Sequence, residues 1–408
     1  MYRTHEKSLR WHSRPTFWLC FLVIIFLTVI GCVFVLRSHV AAPTKTSTKS
    51  VLSQPTPVEA RSNTLFFGNA YFSRYINDWS MASPLKFAYP FSRLGEFGRE
   101  NYDAWITGLE CPTVAGLQQT SAAEDATLSF NCNPEYLKEA KKWFTAVTLA
   151  NNHTDNQGTA GFAETQKHLE ENNIQYFGHP DPRVLTDICD VISLPTKITY
   201  SNGSTKEGSL PVAMCGYHGF IQIPPIESIE LMQKYAPYMP VIAMPHAGKE
   251  YIPAADELKT NLYRSMIDNG ADMVIGDHPH WVQNTEAYKG HPIIYSMGNF
   301  IFDQQYNAEV TRSAGINVVF EVKNADKTQL AKWLAIGKTC ASYHDTCLEQ
   351  VKKAGLRKLP YTFTLSVIGT DDSKHITKPA SADVQAGILQ RMNWSTTISQ
   401  LTAPYSGK

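Results

Sequence analysis

Six apolar runs along this chain each end in a polar cluster: Gly68-Asn69, Leu109-Glu110, Asn151-Asn152-His153, Pro245-His246-Ala247-Gly248, His278-Pro279-His280 and Gly298-Asn299-Phe300. Short, continuous apolar runs separated by helical patterns predict strands covered on both faces, and so an α/β sheet. Such a sheet opens its crevice at the carboxyl ends of the strands. Polar ligands projecting from those ends are how metal and phosphoryl-transfer sites are assembled.

The pattern predicts strands over 64–67, 102–107, 146–150, 174–177, 211–215, 241–244, 273–275 and 292–295, with alternating strands over 316–322 and 361–368. Asn133-Pro134 opens a helix continued by Leu137, Ala140, Lys141 and Phe144, Pro being suited to a first helical turn. Further helices are expected over 161–171, over 257–267 with Leu258, Leu262 and Met266 on one face, and over 384–392. Residues 324–357 carry no clear period. The aromatic pairs Phe66-Phe67 and Tyr71-Phe72 are expected in the core.

Residues 17–36 form a separate object, a charge-free apolar run of 20 residues. At about 1.5 Å per residue it matches the roughly 30 Å hydrocarbon core of a bilayer. Arg3, Lys7, Arg10 and Arg14 precede it, and only Arg37 follows before a neutral stretch. The positive-inside rule then leaves residues 1–16 as a cytoplasmic tail and the main domain extracytoplasmic, on a single-pass anchor in the cell membrane. A cleaved signal ending near Val40-Ala41-Ala42, or a lipoprotein box at Cys32, is the rival reading. Residues 37–63 are rich in Ser, Thr, Pro and Ala and read as a flexible stalk. Residues 64–322 then form the main domain and 323–408 its C-terminal extension.

The 37 Lys and Arg balance 37 Asp and Glu, which gives no basic surface for a nucleic-acid partner. Outside the apolar run lie Cys111, Cys132, Cys189, Cys215, Cys340 and Cys347. An even number in an exported domain permits disulfides, with Cys340 and Cys347 close enough to close a local loop; buried free thiols are the alternative. Asn152, Asn202 and Asn393 each begin a glycosylation triplet, relevant only in a secretory-pathway host.

Four segments recur in one order: Asn151-Asn152-His153; Pro245-His246-Ala247-Gly248-Lys249-Glu250-Tyr251; Gly270-Ala271-Asp272 running to His278-Pro279-His280; and Tyr295-Ser296-Met297-Gly298-Asn299-Phe300-Ile301-Phe302-Asp303. Together they resemble the bacterial capsule synthesis protein family CapA, associated with poly-γ-glutamate capsules. That family's domain is similar to calcineurin-like metallophosphoesterases, so the resemblance implies a layered α/β sandwich. It implies a ligand set of Asn69, Glu110, Asn152, His246, His278 and His280, with His153 beside the reacting group as an acid or charge stabiliser. Asp155 would orient His153, or cap the following helix instead. Glu250 and Tyr251 are expected to be structural or to touch substrate, and Asn299 to hold a turn or reach the site.

Two positions depart from the family pattern. Asn69 stands where Asp is usual, and Gly108 where Asn usually precedes Leu-Glu. Only Glu110 in the implied set is anionic, which compensates two close dications poorly. A single divalent ion (Zn, Mn or Fe) on His246, His278 and His280 with Glu110 or Asn152 fits better. The resemblance implies a membrane-anchored component of capsule biosynthesis, acting with other capsule subunits on an anionic polymer. The alternatives are a surface metal-dependent hydrolase of phosphoesters or amides, and a non-catalytic polymer-binding scaffold with a degraded metal site.

Overall fold

The sheet branches at its first strand, β1 (Pro57–Ala70). In this computed structural model, which describes residues 54–408 except Tyr343, residues 55–408 form one unit. The apolar run at 17–36 lies outside the described residues, and no described helix is long and apolar enough to cross a membrane.

The first half of β1 pairs antiparallel with β5 (Cys189–Tyr200), Ala60 opposite Ile198. Its second half pairs parallel with β2 (Ala104–Leu109), Phe66 opposite Ile106. Its other edge carries β12 (Arg312–Lys323), antiparallel, and, at Asn69, β11 (Asn299–Ile301), parallel. The strand therefore starts at Pro57, so the last residues of the expected stalk belong to the sheet. Ala60, Ser62 and Thr64 point inward on alternate positions. Small and polar inward residues hid this period from the sequence.

Beyond β2 lie β3 (Ala146–Thr148) and β4 (Gln175–Phe177), both parallel. Beyond β5 comes its hairpin partner β6 (Thr205–Gly219), then β7 (Val241–Ala247), β8 (Met273–Ile275), β10 (His291–Ile294) and β9 (Thr285–Tyr288). On the far side β13 (Tyr361–Asp371) pairs with β12 along its whole length, so the C-terminal extension widens the same sheet. The unpatterned stretch after residue 323 contains two helices, α7 (Lys327–Ser342) and α8 (His344–Lys353). A Cys340–Cys347 disulfide joins them, and Ser193 Oγ donates to Gly337 O at 2.6 Å to fasten α7 to the sheet.

Two apolar cores flank the branch. In one, Phe67 stacks on Phe300 at 3.7 Å and meets Trp105 edge-on at 5.1 Å, with Phe72 and Tyr136 behind. The other gathers Val212, Ile242, Met273, Trp333 and Phe363. Helix α6 (Glu257–Asp268) covers this second core with Lys259, Tyr263, Met266 and Ile267. That face is offset from the expected one: Leu258 is 65% exposed, and a lysine is buried in its place.

Two more disulfides pin the framework. Cys189–Cys215 staples the β5–β6 hairpin, and Cys111–Cys132 ties the residue after Glu110 to the loop at Asn131. Parallel pairing keeps strand ends level: Asn69 lies opposite Gly108, and Gly108 opposite Thr148. On the other branch β7 and β8 run parallel, and His246 near the end of β7 bridges to Asp277 just beyond the end of β8.

Candidate functional site at the strand ends

The ends of β1, β2, β3, β7 and β8 present Asn69, Glu110, the 151–153 loop, His246 and the 277–280 segment. Two glycines make the junction possible. A Cβ on Gly68 would stand 1.8 Å from Gly298 O, so the chain entering Asn69 must lack a side chain there. At Gly108 a Cβ would lie 2.9 Å from Asp277 Oδ2 and 3.5 Å from Asn69 Oδ1. The departure at Gly108 therefore leaves room for a buried aspartate that arrives from β8.

His246 sits at the hub and is 1% exposed. Its Nδ1 lies 2.7 Å from Asp277 Oδ1 and 3.3 Å from Asn151 Nδ2. Its Nε2 lies 2.7 Å from Asn152 Oδ1 and 3.0 Å from His278 Nδ1. One neutral imidazole has a single N–H and cannot donate to both Asp277 and Asn152. Both contacts are satisfied if Asp277 carries a proton, if the Asn152 amide turns its NH2 toward Nε2, or if a cation lies between Nε2 and the Asn152 oxygen. Burial raises the Asp277 carboxyl to about 7, with Lys259 acting against it. Burial also holds the His246 and His278 imidazoles well below their ordinary value.

His278 and His280 come together by a different route from the one their spacing suggests. An extended segment would set alternate residues on one face. Here both have left-handed backbone, φ 92° and 59°, on either side of Pro279. The rings of His246 and His278 lie 4.6 Å apart, and those of His278 and His280 6.2 Å. Nδ1 of His280 lies 2.8 Å from Asn299 Oδ1, which fixes its ring, and Tyr251 stacks on it at 5.5 Å. Glu250 Oε1 stands 3.9 Å from His280 Nε2. Asn299 and Tyr251 thus position His280, and burial lowers that imidazole to about 4.

His153 lies over Phe130 with ring centres 4.4 Å apart. Its Nδ1 meets Asn156 Oδ1 at 3.0 Å, whereas Asp155 is exposed, so the orienting residue is Asn156 in place of the expected Asp155. Burial lowers His153 to about 4, which leaves it neutral at pH 7 before any anion arrives. Arg74 lies nearby with its charge shared between Asp303 and Asp125, the latter at 3.1 Å. It forms a bidentate pair with Asp303 at 2.8 and 2.7 Å and packs over Phe130.

Besides Arg74 and Asn156, the residues named from sequence omitted Asp277, Lys259 and His218. Asp277 is the second buried carboxylate; it is passed over because His278 follows it directly. Lys259 is 2% exposed, with its ammonium 3.0 Å from Gln283 Oε1, and burial lowers it to about 7. His218, one strand over from His246, hydrogen-bonds Pro180 O at 2.7 Å. The only signal for Lys259 in sequence was a cation on the apolar face of a helix, a position that favours no charge.

Among the described residues no three His, Cys, Asp or Glu side chains surround a common point as they would a metal ion. The imidazoles engage one another instead. The donor chemistry nevertheless fits a divalent cation. Asn69 Oδ1 and Nδ2, Glu110 Oε2, Asp277 Oδ2 and His278 Nε2 are all buried without a partner. Orphaned polar atoms on four neighbouring residues are unusual in a folded interior and expensive to leave dry. Glu110 is pushed well up in pKa by burial and then by Asp277, as two buried carboxyls near one another require. With Asp277 included, the set carries two carboxylates where the sequence offered one.

The profile of the family described as "Bacterial capsule synthesis protein PGA_cap" matches residues 63–183 and 226–304, which hold all six clusters as well as Lys259, Asp277 and Asp303. The chain is 27% identical over 322 residues to "PGA biosynthesis protein CapA" of Bacillus subtilis (strain 168), across 74% of this chain and 77% of that one. It is 24% identical over 310 residues to "Capsule biosynthesis protein CapA" of Bacillus anthracis, across 72% and 70%. The chain belongs to the CapA family of bacterial capsule synthesis proteins. Between the two segments matched by the family profile lie the whole β5–β6 hairpin with its disulfide, and the loop after β6.

Proposed function

We propose that this protein is a membrane-anchored, extracytoplasmic component of poly-γ-glutamate capsule assembly or export, working through the strand-end site. Family membership already places it in capsule biosynthesis. The observation carrying the finer reading is that Asn69, Glu110, Asp277, His246 and His278 are all buried at the ends of four strands, with unpartnered polar atoms on four of them. Three disulfides support an oxidising compartment outside the cytoplasm. The apolar run at 17–36 supports the anchor. The layered, branched sheet is consistent with a metallophosphoesterase-type scaffold.

The orphaned atoms favour a second reading at the same place, a metal-dependent hydrolase. Asn69, Glu110, Asp277, His246 and His278 would hold a divalent ion, with Asn152 at the edge of the set. Such an ion supplies Lewis-acid polarisation of a phosphoryl or carbonyl oxygen. In that reading Asp277 fixes the His246 ring, Asn299 fixes the His280 ring, and Arg74 stabilises negative charge beside His153.

The test is genetic and chemical together. A strain lacking its own copy is complemented with the full chain or with the chain starting after residue 36 and given no export signal. Polymer at the surface with the full chain alone supports the anchored reading; equal polymer with both overturns it. Metal content of the purified full chain, with hydrolysis of generic phosphoesters and of γ-glutamyl amides, separates the hydrolase from the assembly component.

A further inference from the structure

Glu250 is a carboxylate in want of a counter-charge. Its side chain is 33% exposed, and burial raises its carboxyl above the ordinary value with no cation acting against it. Among the described residues, the one basic group within ion-pair range is His280, whose Nε2 lies 3.9 Å from Glu250 Oε1. Whether that contact attracts depends on which His280 nitrogen carries the proton.

The hydrogen bonds around the ring decide it. Val310 O is a backbone carbonyl and can only accept. The Asn299 side chain meets it at 3.2 Å, so the group turned toward Val310 is the NH2, which also donates to Gln304 Oε1 at 3.2 Å. Asn299 Oδ1 is thereby turned to His280 Nδ1 at 2.8 Å and receives its proton. Gln304 holds the arrangement from behind, its Nε2 donating to Tyr251 Oη at 2.9 Å. A neutral imidazole has then spent its one N–H on Asn299, and the Nε2 lone pair faces Glu250. Two acceptors, one of them anionic, confront each other at 3.9 Å.

A cation with hydrogens to give satisfies both. A metal ion would need further strong ligands, and among the described residues no third His, Cys, Asp or Glu joins these two around a common point. The walls are aromatic instead. The Tyr251 ring stacks on His280 at 5.5 Å, and Tyr306 meets Tyr251 edge-on at 5.9 Å. Tyr306 is 63% exposed, so this corner opens to solvent. Glu250 is within electrostatic reach of both tyrosine hydroxyls and of Glu110, which makes the corner negative. Aromatic rings beside a carboxylate suit an ammonium group.

We infer that Glu250 and His280 Nε2, walled by Tyr251 and Tyr306, form a subsite for a primary ammonium group. Such a subsite repels the carboxylates of an anionic polymer, so it takes a different group from the one in the capsule reading and stands apart from it.

The full chain, in detergent micelles and with its histidines labelled with nitrogen-15, is titrated with propylammonium, with neutral propionamide and with Zn alone. His280→Gln identifies the His280 signals. The native ring-nitrogen shifts are expected to be those of the Nδ1–H tautomer. Propylammonium is expected to shift the Nε2 signal saturably, and propionamide to bind at least tenfold more weakly. Glu250→Gln keeps the shape of the side chain and is expected to weaken propylammonium binding at least tenfold. Should that variant melt below the native protein, Tyr306→Ala, at an exposed position, reads the same subsite with an expected loss of about threefold. An Nε2–H tautomer or an imidazolium at neutral pH overturns the subsite, since no lone pair then faces Glu250. Native affinity in both variants, or equal binding of propionamide, overturns it as well. A Zn response lost in Glu250→Gln, with none to propylammonium, overturns the ammonium subsite and assigns the corner to a metal ion.

Discussion

Asp277 and His246 meet at 2.7 Å, both almost wholly buried, at the ends of adjacent parallel strands. A carboxylate behind an imidazole selects its tautomer and aims its other nitrogen at whatever the site holds. Here that second nitrogen faces Asn152 and His278. The pair joins the two halves of the site, since Asp277 Oδ2 also stands over Gly108 beside Asn69.

Asp277→Asn keeps the shape and loses the charge. A 10–100-fold loss of metal retention or of capsule output is expected, the usual scale for a carboxylate behind a ligand histidine. Thermal unfolding of the variant is expected to stay near that of the native protein. Metal analysis beside a melting curve checks both halves.

Asn69→Asp places a third carboxyl beside Glu110 and Asp277 in a dry space. Without a divalent ion it should destabilise the protein by on the order of 3 kcal/mol at neutral pH. Added Zn or Mn should recover most of that loss, which urea unfolding with and without the ion would read. Loss without recovery would count against a cation at this site.

Gly68→Ala puts a methyl group 1.8 Å from Gly298 O. Neither backbone can yield without breaking the β1–β11 pairing at Asn69, so the expected cost exceeds about 3 kcal/mol. A urea midpoint close to the native one would show that the two chains do not approach as described.

Lys259 gives the protein a pH signature. Its folded pKa, lowered to about 7 by burial, lies below its ordinary 10.5. Between these values the unfolded chain binds more protons, so stability rises with pH from 7 to 10.5 and is lost as pH falls through 7. Asp277, raised from 3.8 to about 7, acts in the lower window, where its contribution is present in acid and lost as pH rises toward 7. Unfolding free energies at pH 7, 8 and 9 should therefore climb in the native protein and flatten in Lys259→Met.

The Cys111–Cys132 and Cys189–Cys215 bridges close loops of 21 and 26 residues. Chain-entropy reasoning gives about 3 kcal/mol for each. Reductant should lower the urea midpoint accordingly, and a Cys111→Ser, Cys132→Ser double variant should also lose capsule output, because Cys111 follows Glu110 directly.

How far the sequence reads the fold depends on which residues carry the signal. Strand β8 falls on residues 273–275 as expected, because three buried apolar residues lie between clear punctuators. Strand β5 is absent from the expectation: Pro195, Thr196 and Lys197 interrupt its apolar pattern, and only its pairing with β1 and β6 explains it. The first half of β1 is hidden the same way by Arg61, Ser62 and Asn63. Helix α6 is legible and its face is not, because Leu258 points out over a cavity and Lys259 points in. At the site, the strand-end positions are legible from their spacing in the chain. Tertiary placement is not: it brings Asp277 onto His246 and Asn156 onto His153, and leaves Asp155 in solvent.

The most direct test replaces the hub. A strain lacking its own copy is complemented with the full chain carrying His246→Ala, after its amount at the membrane and its melting temperature have been matched to the native protein. Surface polymer is expected to fall at least tenfold. Polymer at the native level would contradict it, and would leave the strand-end pocket without a part in capsule biosynthesis.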